Sequence, residues 1–145
     1  MTIKIIKKPI SKTELLDIAK NQFGDFVKAV IDVGKEIIAV GGELHADEET
    51  LLLQNGSRQE NLWGINIYPE KSEEEWIAFD SMINIRPSSG NRSRGVENLK
   101  MQEKIKTIIK KLILAILFLL LGIYNLLMKG VVMTFVLDWL IGLKQ

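Results

Sequence analysis

Hydrophobic and polar positions change their period several times along the chain, and each change marks an element. "TIKII" (2–6) predicts a short strand. "ISKTELLDIAKNQF" predicts a helix: Ser11 and Glu14 form a capping box, Leu15, Ala19 and Phe23 share a stripe, and Gly24 ends it. "FVKAVIDV" and "EIIAVG" are β-rich runs around "GK", the pattern of a hairpin. "GGELHADEETLLLQNG" predicts a turn and then a short helix, with acidic residues in its first turn and Gly56 just past its end. "NLWGINIY" and "WIAFDSMINIR" predict two more strands, joined by "PEKSEEE". "VENLKMQEKIKTIIKKL" predicts a last helix with Val96, Leu99, Ile105, Ile108 and Ile109 on its apolar side. The order is β-α-β-β-α-β-β-α, an α+β domain with a small mixed or antiparallel sheet.

Alternation in the last two strands assigns faces. Trp63, Ile65 and Ile67 share one side, as do Ile77, Phe79, Ile83 and Ile85. If the strands are neighbours, both sets lie on the same side of the sheet, since a one-residue slip would expose one of them. The other side carries Gly64, Asn66 and Tyr68 beside Asp80, Asn84 and Arg86. That face is too polar for a core, so it is either solvated or the floor of a site. Gly64 within a strand marks a close approach by another part of the chain or by a ligand.

Composition divides the chain in two. Residues 1–111 hold almost all the charge and form the predicted α+β domain, while 112–143 carry only Lys129 and Asp138. "LILAILFLLLGIYNLLM" (112–128) is near the minimum for a bilayer span, and it has no polar face for water. Lys104, Lys106, Lys110 and Lys111 precede it, which keeps the N-terminal domain cytoplasmic by the positive-inside rule. Residues 112–145 are thus expected to be a single-pass membrane anchor. "VVMTFVLDWLIGL" (131–143) would be a second short segment or an interfacial helix held by Trp139. The competing expectation buries the tail inside an oligomer. The first apolar run is too short for a signal peptide.

Charge and residue counts narrow the chemistry. A net charge of +1 gives no bulk attraction for nucleic acid. No cysteine and a single histidine exclude thiolate nucleophiles and a multi-histidine zinc site. The polar equipment concentrates in "NIRPSSGNRSRGVEN" (84–98). Arg86, Arg92 and Arg94, with Ser88, Ser89, Asn91 and Ser93, offer many donors, and Gly90 and Gly95 let backbone N–H groups turn toward an anion. The loop runs into a helix start, which favours negative charge. Equally, these arginines can pair with the acidic runs at Asp47–Glu49 and Glu73–Glu75 and lock the loop down. Glu43, His45 and Asp47 at i, i+2, i+4 would share one side of an extended segment, as a metal-binding or acid–base row. On a helix, Asp47 is instead a cap and His45 a structural donor. No metal centre is expected, with His45 and Asp47 the nearest to candidate ligands, and no cofactor is indicated.

"GGELHADEE", "NLWGINIYP", "FDSMINIRPSSGNRSRGVE" and "ISKTELLDIAKNQFGDFVKAVID" together resemble a family of short prokaryotic proteins that form a domain of unknown function. The resemblance covers roughly residues 3–110. It implies a small stand-alone cytoplasmic domain and brings no activity. It also makes the tail an addition, and the protein is cytoplasmic and soluble if that tail arises from a misread frame in the gene. Three functional readings follow. The first is a ligand-binding or interaction domain whose Arg86/Arg92/Arg94 loop, with Asn91 and Ser93, takes a phosphate- or carboxylate-bearing ligand, tethered to a membrane by 112–143. The second is a small hydrolase or phosphotransfer enzyme with His45 as base, Glu43 or Asp80 beside it, and the arginines stabilising an oxyanion. The third is a structural protein, a homodimer through the exposed sheet face. Nucleic acid is not an expected partner, since no aromatic pair lies near Arg92 and Arg94 in the sequence.

Overall fold

A computed structural model describes residues 2–113 and 123–130. Its elements run β1 (Lys4–Ile6), α1 (Lys12–Lys20), β2 (Val27–Asp32), β3 (Ile37–Val40), α2 (His45–Gln54), β4 (Leu62–Ile67), β5 (Ile77–Ala78) and α3 (Leu99–Ile113). The α+β order expected from the sequence is the order observed. The sheet is antiparallel throughout, with strand order β1-β3-β2-β4-β5.

Local chemistry sets the boundaries. Ser11 caps α1, its hydroxyl accepting from the Glu14 N–H at 3.0 Å. Gly24, at φ +94, lets the chain turn away from α1, and its N–H closes on the Ala19 carbonyl. Phe23, expected on the buried stripe, lies beyond α1 and is exposed. Asp32 shapes the β2–β3 turn by accepting from the N–H groups of Gly34 and Lys35, both at 2.9 Å. Asn98 starts α3 by accepting from the Met101 N–H. Leu99, expected on the apolar side of α3, is exposed.

The strand expected over 76–86 is only two residues long. Ile67 pairs with Ile77 and both face the core, as alternation required. Beyond Ala78 the chain leaves the sheet. The Ser81 hydroxyl accepts from the Ile83 N–H and starts a 3₁₀ turn over Met82–Asn84. The alternation of Ile83 and Ile85 is therefore not a strand pattern. Ile83 packs against the second core cluster instead.

Both sheet faces are covered. On one, Val27, Ala29, Ile31, Ile65 and Ile67 meet Leu15 and Ala19 of α1 and Ile105, Ile108 and Ile109 of α3. On the other, Val30, Ala39 and Leu62 meet Leu52 of α2, with Ile83 closing the edge. The face expected to be solvated, or free to pair with a second copy, thus lies largely beneath α2 and the 82–84 turn. Gly64 is where that turn presses closest: a Cβ there would collide with the Ser81 side chain. The close approach predicted at Gly64 is made by the chain itself.

Among the described residues no helix is long and apolar enough to cross a membrane. Most of the tail expectation, including the 131–143 segment, falls outside the described residues. Residues 123–130 are helical, and Ile123, Tyr124, Leu126, Leu127 and Met128 are exposed on them.

Candidate functional site

The polar face does not vanish under α2. At one end it opens into a cleft of about 470 Å³, within the range of small-molecule sites. β2 and β4 supply its floor: Lys28 and Asn66 are cross-strand partners in register and so project to the same side. The N-terminus of α2 supplies Leu44, His45 and Ala46. The segment after β5 supplies Asp80, Ser81, Met82 and Ile83, and Arg94 reaches in from the arginine-rich loop. Phe26 and Tyr68 complete the wall.

His45 is anchored rather than free. Its Nε2 lies 2.8 Å from the Ile65 carbonyl, so Nε2 carries the proton and donates it. Burial lowers its pKa below the usual histidine value and the Lys28 charge adds to this, with the Ile65 carbonyl, Asp80 and Asn66 pulling the other way. The imidazole is therefore neutral at pH 7. Asp80 is engaged by Arg94, whose Nε donates to its Oδ1 at 2.6 Å. That bond uses Nε and leaves the N–H groups of both η nitrogens for other acceptors.

The arginine loop itself is held by internal bonds. Arg86 donates to the Gln59 and Leu62 carbonyls, both at 2.7 Å, and lies over the Trp63 ring at 4.2 Å. Asn91 is buried; its amide donates to the carbonyls of Asn84 (2.7 Å) and Gly95 (2.8 Å), and its oxygen accepts from the Glu97 N–H. The Arg92 and Ser93 N–H groups, the most anion-ready pair in the loop, both donate to Glu97 Oε1, at 2.9 and 2.8 Å. Those bonds hold the Glu97 carboxyl below the usual carboxylate range. The loop is thus built around an anion, and the anion is the chain's own.

Of the residues singled out in the sequence, His45, Asp80 and Arg94 come together in the cleft, with Asn66 and Tyr68 as expected from alternation. Arg86, Asn91, Arg92 and Ser93 do not line it. Nor do Glu43 and Asp47. The Glu43–His45–Asp47 row does not form, because His45 and Asp47 lie in the first turn of α2, where i and i+2 point apart. Asp47 is not the cap: Leu44 holds that position without a side-chain bond. Among the described residues no group of three or more His, Asp or Glu side chains could hold a metal ion. Lys28 and Ser81 were missed by sequence reasoning. Only the β2–β4 register and the turn at Ser81 put them there.

The chain belongs to DUF5674, a family of proteins of unknown function whose model matches residues 4–112. The domain resemblance drawn from the sequence over 3–110 coincides with that match. No curated protein and no solved structure matches the chain.

Proposed function

We propose, for a family of unknown function, that the domain is a binding module whose cleft takes a small anionic ligand, a phosphate or carboxylate group held by Arg94 and Lys28. The convergence of both cations with Asn66, Tyr68 and His45 in one concavity carries this reading. Binding is favoured over hydrolysis because His45 spends its Nε2 proton on the Ile65 carbonyl and Asp80 is engaged by Arg94. Asp80 is therefore not presented as a free base, and of the His45 ring only Nδ1 is left to act as one.

Titrating the chain with inorganic phosphate tests the reading. Arg94→Gln removes a charge-assisted contact and should weaken binding about 10- to 150-fold, from the roughly 1.5–3 kcal/mol such contacts contribute. Asp80→Asn removes the carboxylate that competes for Arg94 and should tighten binding. Equal affinity in all three proteins would discard the site.

The tail reading is a membrane tether through 112–143. What supports it is the apolar sequence that continues to residue 128 beyond the end of α3, whose Leu112 and Ile113 pack in the domain core, and the five large apolar side chains exposed on 123–130. In a flotation assay with vesicles the full chain should rise with the lipid, and a chain truncated after residue 113, which keeps Leu112 and Ile113 in the core, should stay at the bottom. Equal sedimentation of both would end the tether.

A further inference from the structure

We infer that the ligand of this cleft is an amphiphile, an anionic head on a short aliphatic chain; the inference rests on the anion-binding reading above. Among the described residues of 2–113, three large apolar side chains are more than half exposed: Leu44 (57%), Met82 (64%) and Leu99 (73%). Two of the three, Leu44 and Met82, line the cleft, and they reach it from different elements. One exposed leucine is ordinary, but two such side chains at the mouth of one concavity form a patch, and patches mark binding. Leu44 is also the wrong residue for its place in the fold. It is the N-cap of α2, with the extended backbone of a cap (φ −123, ψ 138) and no side-chain bond to the helix. A serine or aspartate would accept from an N–H of the first turn there, as Ser11 does for α1 from Glu14. Leucine gives up that cap and belongs to neither core cluster. A local rule broken without a return in packing points to binding. Met82, also outside both clusters, has the unbranched, adaptable side chain that suits a ligand surface.

Charge sets the other end of the ligand. Lys28 and Arg94 line the same cleft, and its one lining carboxylate, Asp80, is engaged by Arg94. An anionic head at these cations leaves its apolar end to cover Leu44 and Met82. A bare phosphate would leave that patch in water, and a neutral hydrocarbon would leave the cations without a partner. At about 470 Å³ the cleft takes a small molecule of this kind.

The test is calorimetric titration of the full chain with acetate, butyrate, hexanoate and octanoate, each below its micelle concentration. Affinity should rise by up to about fourfold per methylene, the value for full burial. Hexyl phosphate should gain in the same way over inorganic phosphate, and the tighter of the two series identifies the head. Leu44→Ser and Met82→Ser should each flatten the rise and leave acetate binding unchanged. Both side chains are exposed, so both variants should fold, and Leu44→Ser should melt no lower than the unaltered chain. Equal affinity for acetate and octanoate would overturn the aliphatic chain and leave the anion site standing. A rise that neither substitution reduces would put the aliphatic chain elsewhere on the protein and overturn the inference as well. No binding by phosphate or by any carboxylate would overturn both readings.

Discussion

Replacing Glu48 by glutamine is expected to leave stability unchanged near pH 4 and to raise it progressively above that, up to about pH 8. Glu48 lies on α2, fully buried, with Oε1 accepting from the Gly42 N–H at 2.9 Å and Oε2 without a partner. Burial pushes its carboxyl from 4.5 up to about 8, against the pull of the Gly42 N–H and the Lys28 charge. Between those two values the folded state holds a proton that the unfolded state has released. Stability therefore falls as pH rises across the window, and the loss is complete above about pH 8. At roughly 1.4 kcal/mol per unit the whole effect is on the order of 5 kcal/mol. Glutamine keeps the acceptor for Gly42 and never ionises. Urea unfolding of both proteins from pH 4 to 9 isolates the group, because every other titration cancels in the difference. A constant difference across that range would mean Glu48 ionises normally in the fold.

Asn84→Ala should cost about 3–5 kcal/mol. Asn84 is fully buried, and one side chain serves three backbone groups. Its Oδ1 accepts from the Gly64 N–H at 2.8 Å, and its Nδ2 donates to the Gly64 and Arg94 carbonyls, both at 2.9 Å. Alanine leaves those groups buried and unpaired, at about 1–3 kcal/mol for each one that finds no substitute. A domain of this size has only about 5–15 kcal/mol to lose. Asn84→Asp should be as harmful or worse, since it loses both donations and buries a charge. Arg94 is positioned through the same bonds, so phosphate binding should weaken in any variant that still folds. Denaturant melts report the first effect and phosphate titration the second. A loss under about 1 kcal/mol for alanine would mean that water takes over the three contacts.

Local signals in the sequence were read correctly where one residue type has one job. Ser11 three residues before Glu14, Gly24 after α1 and the alternation in β4 each act within a few residues. The sheet face covered by α2 was misjudged because α2 hides its buried side. Glu48 and His45 occupy inward positions beside Leu52, so no apolar stripe marks the helix as a lid. The 76–86 strand was overextended for the opposite reason: Ile83 and Ile85 keep step with Ile77, although the Ser81 cap has already turned the chain. The cleft was half legible. His45, Asn66, Tyr68, Asp80 and Arg94 stood out by type and phase, yet Lys28 enters only through pairing with Asn66 across more than thirty residues. Arg86 looked like a ligand residue because composition does not distinguish a guanidinium facing solvent from one spent on backbone carbonyls.

The strand order also sets the loops that the chain must close to build its sheet. β2 is central and pairs at once with β3 through a four-residue turn, so that hairpin has the smallest loop to close. β1, although first to be synthesised, pairs only with β3, Lys4 lying opposite Val40. About forty residues must emerge before the N-terminal edge has anything to bind. β4 closes on β2 across the whole of α2, the longest closure next to the centre of the sheet and so the one expected to be slowest. Until it closes, neither the floor nor the wall of the cleft exists, so ligand binding reports completed folding and not an intermediate.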